Sequence, residues 1–264
     1  MSYAVGEARR SEYVTVGGRH VWHEVHGSAG TVVVLLHGGF AGAPSWDAQV
    51  PALVEAGFHV YVPERRGHGH TPDVAGPITY AAMAHETIEY LEEIVRTPAH
   101  LIGWSDGAVV AMIVAMRRPE LVERMVVIGQ FYNRDGRLPD SALDRMLHSP
   151  ESTAYLRAAY DPVSPDGPEH FPVVYEKMLA MIDSEPEIAL PELRRVTAPT
   201  LVLQGDRDEV TLEHGAAVAA ALSGGRLAVL PGSHALPIEL PDVVNPLLVT
   251  FLHRGAPGPL LNSQ

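Results

Sequence analysis

The chain has no cysteine. This excludes disulfides, thiolate metal sites and a cysteine nucleophile, and it does not by itself identify a compartment. Lysine is nearly absent: Lys177 is the single one, and arginine supplies the other cations in a set of 19 against 32 acids. The resulting net charge of −13 disfavours nucleic acids and anionic membranes as partners. No apolar run reaches 18 residues, so no membrane-spanning helix is expected. Residues 1–12 carry Glu7, Arg9, Arg10 and Glu12 without an apolar stretch, unlike a secretory signal, and a cytoplasmic location is expected. No phosphate-binding G-x-x-x-x-G-K-[ST] run and no nicotinamide or flavin motif occurs, so no cofactor is expected.

What is present fits one large α/β domain. Apolar residues make up 46% of 264, enough for a sizeable core. Residues 13–16 and 20–26 read as two strands joined at Gly17-Gly18, a hairpin. Residues 31–36 form a continuous apolar and β-branched run, the pattern of a strand buried on both faces of a parallel sheet. A helix over 46–56, a strand over 58–62 and an amphipathic helix over 79–96 follow. Strands over 99–102, 125–129, 200–203 and 227–230 alternate with helices over 108–116, 212–222 and 243–253. Such alternation predicts a mostly parallel central sheet with helices on both faces. Between Gln130 and Thr197 no strand alternation appears, while helix-like pieces over 141–147 and 173–182 do. A structureless loop of that length is implausible. A small helical cap over 132–196 is therefore expected after the sixth strand, on a core of 1–131 and 197–264. The tail from Gly255 onward reads as frayed.

Gly103-Trp104-Ser105-Asp106-Gly107 directly follows the strand over 99–102. A G-x-S-x-G between strand and helix has the shape of a nucleophile elbow. Serine is a poor nucleophile at its normal pKa, so its oxygen must be exposed and a base placed beside it. In open α/β sheets the reactive groups gather at the carboxyl ends of strands. Two such ends carry suitable partners: Gly205-Asp206-Arg207-Asp208 after the strand over 200–203, and Gly232-Ser233-His234 after that over 227–230. His234 is the candidate base among 14 histidines, because it follows the last strand closely in a glycine-containing loop. Asp208 is preferred over Asp206 as the acid. It sits further from the strand, where the loop can turn it back, and Asp206 suits a turn former. An oxyanion hole needs two N–H groups aimed at the developing charge. Asp106 offers one, and Gly39 or Phe40 in His37-Gly38-Gly39-Phe40 the other. Trp104 and Asp106, flanking Ser105, are the candidate substrate contacts. His20, His23 and His26 do not share one strand face, so no metal site is expected, and His68 and His70 read as loop packing. Glu64 and Arg66 read as structural pairing.

With these motifs in this order, including Arg66-Gly67-His68-Gly69 with Thr71, the chain resembles α/β-hydrolases of the esterase, lactonase and cofactor-free haloperoxidase type over roughly 13–254. The resemblance implies Asp208 as triad acid and Gly39 as the second oxyanion donor. Relatives that carry Asp at the nucleophile position, the epoxide hydrolases and haloalkane dehalogenases, are disfavoured by Ser105. The elbow is also similar to that of amino-acid ester hydrolases of the valacyclovir hydrolase type, where the residue at Asp106 holds a substrate ammonium. The competing reading places Asp106 as a complement to the helix dipole, and the residues favour that one. The expected activity is hydrolysis of a small carboxylic ester or lactone through an acyl-enzyme. Perhydrolysis, C–C hydrolysis, lyase chemistry and a hydrolase-fold receptor are the alternatives on the same framework. The oligomeric state is not legible. Phe131, Tyr132, Tyr155, Tyr160, Phe171 and Tyr175 are available for an apolar pocket.

Overall fold

The computed structural model describes residues 10–138, 141, 145, 147 and 149–254. Its strands are β1 (Arg10–Val16), β2 (Arg19–His26), β3 (Val32–Leu36), β4 (His59–Pro63), β5 (Ala99–Trp104), β6 (Val122–Ile128), β7 (Thr200–Gly205) and β8 (Gly225–Leu230). Its longer helices are α1 (Val50–Glu55), α2 (Tyr80–Tyr90), α3 (Asp106–Arg117), α4 (Pro150–Tyr160), α5 (Phe171–Ser184), α6 (Leu212–Ala221) and α7 (Pro241–Arg254). The strands form one sheet in the order β1-β2-β4-β3-β5-β6-β7-β8. β1 pairs antiparallel with β2 and β2 antiparallel with β4, and every later pair is parallel.

The layering follows from period-two alternation. Val34 and Leu36 of β3 face a core shared with α2, α3 and α5, whereas Val33 and Leu35 face Trp46, Leu53 and Leu248 on the other side. All five residues of β3 are buried. α3 is buried from Asp106 to Met116, as a helix apolar all round must be. It packs against β5, β6 and α2. Register levels the carboxyl ends: Leu36 lies opposite Gly103, Trp104 opposite Ile128, Ile128 opposite Leu203 and Gly205 opposite Leu230. The loops that leave β3, β5, β6, β7 and β8 therefore meet at one edge.

Two helices depart from the sequence reading. The one expected over 46–56 is a 3-10 turn, Ala43–Trp46, followed by α1, with Pro44 and Pro51 each in a first turn. A proline inside a continuous helix would lose a hydrogen bond and clash, so the chain restarts there. α2 begins under a Thr79 cap, whose side chain accepts from Ala82 N–H at 3.0 Å. It passes into a wider turn, Leu91–Val95, that ends at Arg96 with φ +60°. Most of 141–147, and the tail from Gly255, lie outside the described residues. Between β6 and β7 the described chain adds α4 and α5 and no sheet strand. α5 is tied back to the loop after β4, where Lys177 Nζ donates to Asp73 Oδ2 at 2.5 Å and to the Val74 carbonyl at 2.9 Å. His170 reaches the same Asp73 oxygen at 2.9 Å. Among the described residues no helix is long and apolar enough to cross a membrane.

Candidate active site

β5 delivers Ser105 into a sharp turn before α3, with φ +54° and ψ −121°. A left-handed φ at a non-glycine residue costs roughly 1–2 kcal/mol and persists only where the surroundings enforce it. Here the Ser105 N–H donates to the Ile128 carbonyl at 2.8 Å, and the Ser105 carbonyl accepts from Ala108 and Val109 at 2.9 and 3.2 Å. The flanking glycines are needed for contact. A Cβ on Gly103 would lie 2.3 Å from the Gly107 carbonyl oxygen, and one on Gly107 2.0 Å from that of Leu36.

The structure brings Ser105, His234 and Asp208 into one hydrogen-bonded series. His234 Nε2 lies 2.9 Å from Ser105 Oγ, and His234 Nδ1 2.7 Å from Asp208 Oδ1. With Nδ1–H donating to the carboxylate, Nε2 is left as the acceptor for the serine hydroxyl; the tautomer is assigned from these partners. Asp208 is buried, and its Oδ1 also accepts from Val210 N–H at 3.2 Å. The His234 loop is pinned where Trp104 Nε1–H donates to the His234 carbonyl at 2.7 Å. Burial alone would lower the imidazole pKa. The hydrogen bond and charge of Asp208, supported by Asp106 and Glu209, outweigh it, and the net shift is upward from the ordinary 6.5. Asp206 stands apart: it is exposed and accepts from Gly232 N–H at 2.9 Å.

Gly129, directly after β6, carries no motif signal in the sequence. It has φ +59°, and a Cβ there would lie 2.9 Å from both Cε1 and Nδ1 of His234. β6 runs between β5, which carries Ser105, and β7, which precedes Asp208. Its end must therefore be bare for the imidazole to pass over it.

The loop after β3 is held by buried groups. The Arg65 N–H donates to His37 Nε2 at 3.1 Å, the Arg65 guanidinium donates to the Gly38 carbonyl at 3.2 Å, and His37 Nδ1 contacts that carbonyl at 2.8 Å. Burial first, and then the Arg65 charge, hold the His37 pKa well below its ordinary value, so its ring is neutral. Gly39 and Phe40 line the space above Ser105, and Phe40 has φ +55°. Asp106 stands in the first turn of α3, and its side chain is buried. Tyr80 Oη donates to its Oδ1 at 2.6 Å. Its Oδ2 lies 2.4 Å from where a Cβ on Gly39 would be, and it has no partner among the described residues. Burial pushes the Asp106 carboxyl pKa up. The carboxylate thus sits behind the Gly39 loop, and Asp106 is not among the cavity-lining residues whereas Trp104 is. Nothing in the sequence pointed to Tyr80, 26 residues away.

Above Ser105 is a cavity of about 720 Å³ whose apolar walls include Phe40, Trp104, Leu156, Tyr160, Phe171 and Val174. Tyr155 also lines it. The other three aromatic candidates pack elsewhere: Phe131 against Tyr80, Tyr132 against His214, and Tyr175 between Phe40 and Phe171. Glu64 lines the cavity but is occupied structurally, accepting from Ala43 N–H at 2.9 Å and His70 N–H at 2.6 Å. Arg66 pairs with Glu86 instead. His23 bonds Tyr90 Oη at 2.6 Å and His26 bonds Glu24 at 3.0 Å, so these two histidines have separate partners.

A profile of the Alpha/beta hydrolase family matches residues 33–247. Serine hydrolase BPHL of Homo sapiens is 26% identical over 263 residues, covering 94% of this chain and 88% of its own. A hydrolase structure from Pseudomonas aeruginosa PA01 is 25% identical with a TM-score of 0.72, covering 92% of this chain and 98% of its own. The enol-lactonase from Burkholderia xenovorans LB400, at 24% identity and TM-score 0.70, covers 91% and 99%; at that identity the likeness is one of fold.

Proposed function

The chain belongs to the alpha/beta hydrolase family, and from that premise we propose that it is a cofactor-free serine hydrolase of small carboxylic esters or lactones. The observation that carries this reading is the series Ser105 Oγ, His234 Nε2, His234 Nδ1, Asp208 Oδ1, with steps of 2.9 and 2.7 Å under an apolar cavity. In this reading residues 132–196 are a cap on a core of 1–131 and 197–264, and the protein works in the cytoplasm.

Ser105 Oγ attacks the ester carbonyl carbon while His234 Nε2 takes the hydroxyl proton. Asp208 keeps the imidazole in the receptive tautomer and stabilises the imidazolium. The tetrahedral oxyanion is met by the N–H of Asp106 at the head of α3 and by that of Gly39 or Phe40. The imidazolium then gives its proton to the departing alkoxide, leaving an acyl-Ser105 ester. Water, deprotonated by His234, attacks that ester, and the proton returns to Ser105 as the acid leaves.

The test is a panel of p-nitrophenyl esters and lactones run on the wild type and on Ser105→Ala. Loss of a nucleophile that acts as one unit with its base costs about 10⁴–10⁶ in kcat. Turnover of the panel by Ser105→Ala at the wild-type rate would overturn the reading.

A further inference from the structure

Two large apolar side chains stand out by exposure: Tyr155 at 73% and Ile238 at 55%, the highest of their kind among the described residues. Single exposed apolar residues need no explanation. These two come from different elements, α4 and the helical turn Leu236–Glu239 after His234, and both line the 720 Å³ cavity. A side chain that lines a cavity and is mostly in solvent stands at its mouth. The mouth is thus rimmed by apolar surface that nothing among the described residues covers, continuous with apolar walls leading down to Ser105.

The charged lining is one-sided. Glu64 and Glu209 line the cavity, and no lysine or arginine does so among the described residues. Glu64 already accepts from Ala43 N–H and from the backbone and ring of His70. An anionic substituent crossing this space would meet carboxylates and, among the described residues, no lysine or arginine, so its lost hydration would be poorly replaced.

Resting on the serine hydrolase reading of this cavity, we propose that the substrate carries an uncharged apolar chain, on its acyl or alcohol side, long enough to reach from Ser105 to a rim formed by Tyr155 and Ile238. Those two residues then set chain-length preference by covering the far end of the chain. Burial of a methylene is worth about 0.8 kcal/mol, or about fourfold per CH₂.

The experiment uses p-nitrophenyl esters from acetate to dodecanoate and, in parallel, acetate esters of straight-chain alcohols, all below their critical micelle concentrations. Wild type, Tyr155→Ser, Ile238→Ser and the double variant are compared. The expected wild-type kcat/KM climbs by about fourfold per methylene in one of the two series. In the double variant the ratio of the longest to the shortest ester falls at least tenfold. An ester ending in a carboxylate is expected to react at least tenfold more slowly than its methyl-ended analogue. Flat profiles in both series, an unchanged ratio in the double variant, or equal rates for the carboxylate analogue would each overturn the proposal. Failure of the underlying reading is separately visible, as acetate hydrolysis that survives Ser105→Ala. Both substituted positions are mostly in solvent, and urea unfolding midpoints of the variants verify folding.

Discussion

Gly129→Ala tests the geometry of the base directly. The added methyl would start 2.9 Å from Cε1 and Nδ1 of His234 and 3.3 Å from Asp208 Oδ2. Carbon contacts settle near 3.5–4.0 Å, so the imidazole must retreat by roughly 0.6–1 Å. It has little freedom to do so, since Nδ1 is bonded to Asp208 and its carbonyl to Trp104. A displacement of about 1 Å at a reacting group can cost about 10²-fold. Gly129 also has φ +59°, so alanine adds a backbone penalty of roughly 1–2 kcal/mol. Gly76→Ala separates the two effects. Gly76 has φ +91° and nothing within 4 Å of a would-be Cβ, so alanine there meets the left-handed penalty alone. Saturating p-nitrophenyl ester kinetics should show kcat down about 100-fold for Gly129→Ala and near wild type for Gly76→Ala. Urea unfolding should show both destabilised. A Gly129→Ala enzyme with kcat within twofold of wild type, or an equal loss in Gly76→Ala, would refute the reasoning.

Asp208→Asn should lower kcat by about 10⁴, the scale seen when a triad acid becomes an amide, while Asp206→Asn, whose carboxylate accepts from the Gly232 amide and lies 4.0 Å from Arg207 Nε, should stay within about threefold; steady-state kinetics decide, and the reverse order would reassign the acid. His234 must be neutral to accept the serine proton and its pKa is raised, so kcat/KM should fall with decreasing pH along a limb centred above 6.5, and a limb below that value would contradict the assignment. For Asp106→Asn, the kcat/KM ratio of an amino-acid benzyl ester to its des-amino analogue should match the wild-type ratio within about twofold, because the carboxylate is bound to Tyr80 and does not line the cavity; collapse of the amino ester alone would place Asp106 in contact with substrate.

Local pattern carried much of the fold. The run Val32–Leu36 is apolar at every position and is buried at every position, and the elbow motif is visible because a strand, a turn and a helix start must coincide within a few residues. What escaped is what depends on residues distant in sequence. That β4 pairs with both β2 and β3 is a matter of tertiary register, which runs of apolar residues do not encode. Gly129 looks like any strand-end glycine until β7 and β8 bring Asp208 and His234 over it. Asp106 could be weighed from sequence only as dipole complement or substrate contact, since its partner Tyr80 arrives on α2. In the sequence Arg65 is one of two adjacent arginines, and only folding shows it buried against His37 and Gly38.

With Ser105, Asp208 and His234 in the roles proposed above, the order of the strands along the chain also fixes when chemistry becomes available during synthesis. Ser105 directly follows β5, whereas the proposed acid and base, Asp208 and His234, come from the loops that follow β7 and β8. Chains are made, and generally begin to fold, from the amino end. A nascent chain that has built the elbow but not β8 holds a serine with no proton acceptor, and such a hydroxyl is a weak nucleophile. Ester turnover in a translation reaction would therefore count finished sheets alone and be blind to stalled or shortened chains.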